Sequence, residues 1–298
     1  MLSKEAQYMN QMFQSFPADP PGKRHDYAAE RAANALRPFP PTPEGVRIEE
    51  IKNGEIIVPD EPNGKYILYI HGGGMTTGSA KERRDITFYL ADIYKYTVYA
   101  NNYRLSPENK WPAQMEDCLA FYEDMLNSGI APERLFFMGE SAGGTLVLST
   151  ALVARDAGKP LPAGIAAFSP ATTQGDEFPS RRGNIPTEYM LKDALTRPDQ
   201  LIALTGTEKP EERLMKDPYF SPYYAEYDQM PPIFLSASDA EVLYDDSVKL
   251  YEKLKKEGRP AELEVLHDMI HAYPIFPMIP EARETIEKAV KYLEYSQP

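Results

Sequence analysis

The sequence predicts an α/β protein built on an eight-stranded, mostly parallel sheet with helices on both faces. From Val46 onward, short β-rich runs alternate with longer segments of helical spacing. Several short runs, including residues 66–70 and 135–138, are continuously apolar, which is typical of strands that helices cover on both faces. The chain has 298 residues, 42% of them hydrophobic, so it can bury a large core in one domain with insertions.

Eight runs of strand-forming residues are predicted to build the sheet. No helical segment separates the first two runs, so we expect them to pair as an antiparallel edge. The predicted strands are Val46–Ile51, Glu55–Pro59, Lys65–His71, Tyr96–Asn101, Arg134–Gly139, Ala163–Ser169, Pro232–Ala237 and Ala261–Leu266.

Five segments between these runs have the three- and four-residue spacing of apolar side chains that predicts amphipathic helices. After Pro112, for example, Met115, Leu119, Tyr122 and Leu126 recur at these intervals. Because parallel strands need a crossover that usually contains a helix, the alternation predicts a parallel sheet. The predicted helices are Lys81–Tyr94, Pro112–Ser128, Ala142–Asp156, Leu243–Glu257 and Glu281–Tyr295.

Two segments break the alternation of strands and helices. Residues 1–45 are polar and contain the proline-rich stretch Pro38–Pro43. Residues 171–230 separate two predicted strands by more than a connecting loop needs. We interpret residues 1–45 as an N-terminal cap segment and residues 171–230 as a cap insertion, both over the carboxyl edge of the sheet. The main domain then consists of residues 46–170 and 231–298.

The net charge argues against nucleic-acid and membrane partners, and the cysteine content excludes an intramolecular disulfide. With 45 acidic and 32 basic side chains the formal net charge is −13, which repels nucleic-acid phosphates and anionic membrane surfaces. No signal peptide or membrane-spanning stretch is recognisable, so we expect no membrane partner and a cytoplasmic location. Cys118 is the only cysteine, so it cannot form an intramolecular disulfide, and its helical setting predicts a buried side chain.

A serine stands in a glycine-flanked turn directly after a predicted buried strand. The turn is Gly139-Glu140-Ser141-Ala142-Gly143, the only Gly-x-Ser-x-Gly in the chain. A sharp strand-to-helix turn exposes a serine hydroxyl to a base and a substrate, which predicts Ser141 as a nucleophile. The N–H of Ala142 would face a developing oxyanion at the helix N-terminus. The alternative is an ordinary glycine-rich turn with a capping serine.

A second glycine-rich turn, His71-Gly72-Gly73-Gly74, follows the predicted strand at residues 65–71. Three consecutive glycines cost chain entropy, so a close backbone approach is expected there. Their N–H groups could stabilise the negative oxygen of a tetrahedral intermediate together with Ala142. The alternatives are a flexible turn and a phosphate-binding loop, although the phosphate-loop pattern is absent.

Four histidines are candidates for the base that activates Ser141. His25 lies in the polar N-terminal segment, and His71 opens the glycine loop. His267 ends the last predicted strand, where a structural histidine is expected. His271 lies in the loop beyond that strand, where it can reach the serine turn, so His271 is the predicted base.

The acid that orients the base should lie between the serine and the histidine, because enzymes with this serine turn have the chain order serine, acid, histidine. Asp239, just past the predicted strand at residues 232–237, is the predicted acid. Glu241 is the rival. Asp245 and Asp246 are expected to begin the next helix, where acidic side chains interact favourably with the helix dipole.

In combination, these motifs resemble the bacterial hormone-sensitive-lipase-like esterases, a branch of the α/β-hydrolase superfamily. The resemblance covers roughly Tyr66 to the C-terminus, and Glu140 stands where that family more often has Asp. The motifs that carry it are His71–Met75, Tyr103–Glu108, Gly139–Gly144, Ser238-Asp239 with Asp245-Asp246, and Met269–His271.

The resemblance implies an α/β-hydrolase fold with a helical cap, oxyanion donors at Gly73, Gly74 and Ala142, and no metal or cofactor. It also implies a serine carboxylester hydrolase that cleaves short- to medium-chain acyl esters through an acyl-enzyme. The alternatives are an amidase, peptidase or thioesterase with the same triad, and a non-catalytic ligand-binding relative.

Three further side chains, Met75, Tyr189 and Met190, are expected to shape the substrate pocket, although residues of these types are as often plain core. The expected partner is a small-molecule ester, and a homo-oligomer is possible.

Overall fold

Eight strands form one sheet at the centre of the computed structural model, which describes residues 1–18, 24–192 and 198–296. All eight predicted strands are confirmed, each boundary to within one residue. The strands are β1 (Val46–Ile51), β2 (Gly54–Pro59), β3 (Tyr66–Ile70), β4 (Thr97–Asn101), β5 (Leu135–Glu140), β6 (Gly164–Phe168), β7 (Ile233–Ser238) and β8 (Ala261–Leu266). Their order across the sheet is β1-β2-β4-β3-β5-β6-β7-β8.

The strand directions agree with the predicted antiparallel edge and parallel centre. β1 pairs antiparallel with β2, with Val46 opposite Pro59, and β2 pairs antiparallel with β4. From β4 to β8 every neighbouring pair is parallel. The carboxyl ends of these six strands therefore lie along one edge, which is where ligands bind in open α/β sheets.

The five predicted helices are also confirmed. They are α3 (Arg84–Tyr94), α4 (Ala113–Asn127), α5 (Ala142–Asp156), α9 (Tyr244–Lys256) and α10 (Pro280–Tyr295). The N-terminal segment contributes α1 (Lys4–Ser15) and α2 (Tyr27–Ala35). The segment between β6 and β7 contributes α6 (Ser180–Gly183), α7 (Pro198–Thr205) and α8 (Glu212–Met215). No described helix is both long and apolar enough to cross a membrane.

Two apolar layers cover the two faces of the sheet. The layer with α4, α5 and α9 contains Leu135, Phe137 and the buried Cys118, and the layer with α3 and α10 contains Phe136 and Met138. Successive residues of β5 thus point to opposite layers, and all of them are buried. This is why β5 is continuously apolar instead of alternating.

The N-terminal segment contacts the insertion and the loops that follow β3 and β4. The Lys192 ammonium donates to the carbonyl oxygens of Phe13, Gln14 and Phe16 at 2.8–3.0 Å. These carbonyls lie at the C-terminal end of α1, where the helix dipole favours a cation. Arg31 on α2 donates to the Thr76 and Ser106 carbonyls, which lie in loops after β3 and β4. Residues 19–23 and 193–197, within the two predicted cap segments, lie outside the described residues.

Candidate active site

Ser141 occupies a strained turn between β5 and α5. Its φ is 54°, a left-handed conformation that non-glycine residues rarely adopt, and its N–H donates to the Phe168 carbonyl at 2.8 Å. A Cβ at Gly143 would lie 2.0 Å from the Ile70 carbonyl oxygen, and one at Gly139 would lie 2.6 Å from the Gly143 carbonyl oxygen. The turn therefore requires both flanking glycines, as its sequence pattern indicated.

His271 lies in the loop after β8 and is buried, with 3% of its surface exposed. Its Nδ1 contacts Oε2 of Glu241. Its Nε2 is buried without a hydrogen-bond partner among the described residues. His271 and Ser141 line the same cavity, so the unpartnered nitrogen belongs to the site of the predicted nucleophile.

The prediction that Asp239 orients His271 is wrong in this structure. Asp239 turns outward: its Oδ2 contacts Nδ1 of His267 at 2.8 Å, and its Oδ1 accepts the Asp268 N–H at 2.9 Å. Asp239 and Glu241 lie in a turn closed by the Glu241 N–H and the Ser238 carbonyl, and this turn sends one carboxylate to the surface and the other inward. The rival, Glu241, is therefore the residue that meets the base.

Ser169, for which the sequence pattern predicted no role, fixes the inward carboxylate. The other oxygen of Glu241, Oε1, accepts hydrogen bonds from Ser169 Oγ and the Ser238 N–H, both at 2.8 Å. Ser169 Oγ also accepts the Ala272 N–H at 3.1 Å, so it joins the acid turn to the loop of His271. The sequence signal that could have identified Ser169 is its position directly after β6, at the carboxyl end of the strand beside the serine turn.

Buried carboxylates set the protonation behaviour of His271. Burial alone lowers the pKa of the imidazole, because a low-dielectric site disfavours its charged form. The carboxylates of Glu241, Glu188 and Glu140 oppose this effect and together raise the pKa of His271 above its ordinary value of 6.5. An imidazolium formed during a reaction would therefore be stabilised at this position.

The glycine loop lies beside Ser141, and Gly73, Gly74 and Ala142 all line the cavity. Gly73 and Gly74 have φ values of 105° and 62°, and the Gly73 carbonyl accepts the N–H groups of Thr76 and Thr77 in a tight turn. Within the described part of the chain, the N–H groups of Gly73, Gly74 and Ala142 find no acceptor. They are available to a negatively charged oxygen in the cavity.

A buried carboxylate holds the glycine loop against the serine turn. Glu140 accepts the Gly72 N–H at 2.6 Å and the Tyr69 hydroxyl at 2.7 Å. The Arg83 guanidinium donates to the same carboxylate through Nε. Glu140 immediately precedes Ser141, so one ion pair positions both turns that a nucleophile and an oxyanion would use.

His71 is structural in this arrangement. Its ring stacks on Tyr103 with centroids 4.3 Å apart, and the Tyr103 hydroxyl donates to the His71 carbonyl at 2.8 Å. Burial lowers the pKa of His71 to about 4, so its imidazole is neutral near pH 7. These contacts explain why a histidine and a tyrosine accompany the glycine loop.

The cavity has a volume of about 560 Å³, a size that suits a small organic molecule. Met75 and Met190 line it, as predicted, whereas Tyr189 does not. The Tyr189 hydroxyl instead donates to the Asp268 carboxylate at 2.6 Å, which draws the ring away from the lining. From the insertion, Gln200 lines the cavity and donates to the Gly74 carbonyl at 3.0 Å.

Comparisons with known proteins agree with this architecture. A family described as having the α/β-hydrolase fold matches residues 67–275. An acetyl-hydrolase of Streptomyces hygroscopicus is 32% identical over 240 residues, which cover 80% of this chain and 78% of that protein. Esterase LipU of Mycobacterium tuberculosis is 28% identical over 80% of each chain.

Solved structures of esterases extend the similarity to nearly the whole chain. The structure of EstE5 soaked with p-nitrophenyl butyrate superimposes with a TM-score of 0.87 at 28% identity, covering 98% of both chains. An esterase from the bacterial hormone-sensitive lipase family superimposes with a TM-score of 0.84 at 27% identity, covering 99% of both chains. The chain therefore belongs to the α/β-hydrolase family and is an esterase of its bacterial hormone-sensitive-lipase-like branch.

Proposed function

We propose that this esterase hydrolyses short- to medium-chain acyl esters with Ser141 as nucleophile, His271 as base and Glu241 as the acid that orients the base. One observation carries the proposal: His271, whose Nε2 has no hydrogen-bond partner in the described ranges, and the strained Ser141 line one cavity, while Glu241 binds the opposite nitrogen. The acetyl-hydrolase relative and the soaking of EstE5 with a butyrate ester support small acyl groups.

The acylation step uses three groups of this chain. The Ser141 hydroxyl gives its proton to Nε2 of His271 as its Oγ bonds to the ester carbonyl carbon. The carbonyl oxygen becomes negative and accepts hydrogen bonds from the N–H groups of Gly73, Gly74 and Ala142. Glu241 keeps the Nδ1 proton in place and stabilises the imidazolium without taking that proton.

The intermediate then collapses, and the bond between the acyl carbon and the alcohol oxygen breaks. The alcohol leaves with the proton from Nε2 of His271, and the acyl group stays on Ser141. Water next gives a proton to His271 and adds to the acyl carbon. Ser141 departs with that proton, and the products are a carboxylic acid and an alcohol.

The proposal also assigns residues 1–45 and 171–230 to a cap over a catalytic domain of residues 46–170 and 231–298. Two contacts support it: the Lys192 bonds to the end of α1, and the Gln200 bond to Gly74. Such a cover would shield the reacting ester from bulk water and strengthen the electrostatic interactions inside the site.

A fluorophosphonate probe tests the nucleophile directly. We expect covalent labelling at Ser141 in the folded protein and none in Ser141→Ala, with peptide mapping as the readout. A wild-type protein that stays folded but unlabelled would instead be a non-catalytic relative.

Matched substrates test the reaction class. We expect p-nitrophenyl esters from acetate to octanoate to be cleaved faster than the corresponding anilides, with the highest kcat/KM at the short end of the series. Faster anilide cleavage would replace the esterase proposal by an amidase with the same triad.

A further inference from the structure

A segment of the insertion wraps around the turn that carries Glu241. The Asn184 side-chain amide donates to the carbonyls of Asp239 and Glu241 at 2.8 and 2.9 Å. The Thr187 hydroxyl donates to the Ala240 carbonyl at 2.9 Å. The acid turn is thus held by side chains of residues 184–188.

Glu188 completes this set of contacts with a buried carboxylate, of which 4% is exposed. One oxygen accepts the N–H groups of Met190 and Leu191 at 2.8 and 3.1 Å. The other accepts the Val242 N–H, directly after Glu241, at 2.8 Å. Since Met190 and Leu191 line the cavity, Glu188 links the cavity wall to the acid turn.

No lysine, arginine or histidine of the described residues forms an ion pair with Glu188. In the described part of the chain, the two cations that line the cavity are committed elsewhere, Arg83 to Glu140 and Arg181 to Asp246. A buried carboxylate without a cationic partner is costly, even when three N–H groups bind it. His271 contacts the neighbouring Glu241 and becomes positively charged whenever it accepts a proton, and that charge is one that Glu188 can stabilise.

We propose that Glu188 is a positioning residue that ties the insertion to the catalytic acid and places a second buried carboxylate directly behind the turn that His271 contacts. This inference rests on the proposed roles of His271 and Glu241. Through Glu188 the insertion takes part in the chemistry, because one carboxylate both carries the negative charge and holds the turn of Glu241.

Among the described residues, the carboxylates that act on His271 belong to three elements: Glu241 after β7, Glu140 at the end of β5, and Glu188 in the insertion. Burial lowers the pKa of His271, and all three carboxylates raise it. Removing the charge at Glu188 should therefore lower the pKa of His271 and weaken stabilisation of the imidazolium in both reaction steps.

Glu188→Gln keeps the size of the side chain but removes its charge. We expect the midpoint of the acid limb of kcat/KM to fall by about 0.5 to 1 pH unit. We expect kcat to drop roughly 10-fold with KM changed by less than about 2-fold, because an interaction with the transient cation is lost. Glu188→Ser, which leaves room for water at the three N–H groups, should move the midpoint in the same direction.

Asn184→Ala is the matched control, since it loosens the same turn without changing any charge. It should reduce kcat while leaving the midpoint in place. Glu188→Asp, which keeps the charge on a shorter side chain, should likewise retain the wild-type midpoint. Thermal unfolding of every variant confirms that folded protein is compared.

An unchanged midpoint in either folded neutral variant of Glu188 would overturn the inference, as would an equal shift in Asn184→Ala. Failure of the proposed function gives a different result, because wild-type Ser141 would then not be labelled by the fluorophosphonate probe. A labelled wild type with an unmoved midpoint rejects the role of Glu188 alone.

Discussion

Nδ1 of His271 meets Glu241 in the protein interior, and Nδ1 of His267 meets Asp239 at the surface, at 2.8 Å. The four residues come from one turn after β7 and one loop after β8. The His267 side chain is 88% exposed and that of His271 is 4% exposed. Burial makes the electrostatic interaction of the inner pair far stronger than that of the outer pair, which solvent screens.

Exchanging the two carboxylates for amides should separate their roles. Glu241→Gln is expected to reduce kcat on p-nitrophenyl acetate by about 10³- to 10⁴-fold, because the amide no longer favours the imidazolium and can support the wrong tautomer. Asp239→Asn should change kcat by less than about 3-fold. If Asp239→Asn proved the more damaging substitution, the assignment of the acid would be reversed.

The pH dependence of the wild-type enzyme should reflect the raised pKa of His271. The base must be neutral to accept the Ser141 proton, so kcat/KM should fall as pH decreases through a midpoint above 6.5. His71 adds no titration near neutrality, because its pKa lies at about 4. The measurement is kcat/KM for an uncharged ester from pH 5 to 9, buffered at constant ionic strength.

Asp239→Asn is the control for this profile, since Asp239 binds His267 and not His271. It should leave the midpoint where it is in the wild type. A wild-type midpoint at or below 6.5 would contradict the prediction, because desolvation would then outweigh the three carboxylates.

The oxyanion loop can be tested at Gly73. A Cβ there would lie 2.4 Å from the Thr77 carbonyl oxygen, so Gly73→Ala must displace the turn and its N–H groups. We expect kcat to fall about 10²- to 10³-fold. Gly129→Ala is the control, because Gly129 has a similar φ of 92° but no atom within 4 Å of the added Cβ. If the folded Gly73→Ala variant has a low kcat but the fluorophosphonate probe still labels its Ser141, the loss of kcat lies in oxyanion stabilisation.

The buried pair of Arg83 and Glu140 should contribute to stability as well as to positioning. Arg83→Met leaves the carboxylate, which is 1% exposed, without its cation, so the free energy of unfolding should fall by about 3 kcal/mol or more. Arg47→Met removes an exposed pair with Glu49 and should leave this free energy almost unchanged. Urea denaturation followed by circular dichroism measures both, and equal effects of the two substitutions would contradict the prediction.

Much of the fold could be predicted because it depends on short-range patterns. The continuously apolar β5 and the three- and four-residue spacing of α4 depend on neighbours in sequence, and the structure confirms both elements. The glycine-rich turns are local in the same sense, since a Cβ at Gly139 would meet the Gly143 carbonyl and one at Gly73 would meet the Thr77 carbonyl, both within the same turn. Ser141 and His271 line one cavity because parallel strands bring their carboxyl ends to one edge.

Sequence alone therefore determined the sheet, its helices, the serine turn, the glycine loop and the choice of His271. Tertiary structure decided which carboxylate meets that histidine, how Ser169 and Glu188 support it, and that Tyr189 turns away from the cavity. The physical reason is that periodicity predicts side-chain direction in a helix or strand but not in an irregular turn. There the direction depends on hydrogen-bond partners that lie tens of residues away in the chain.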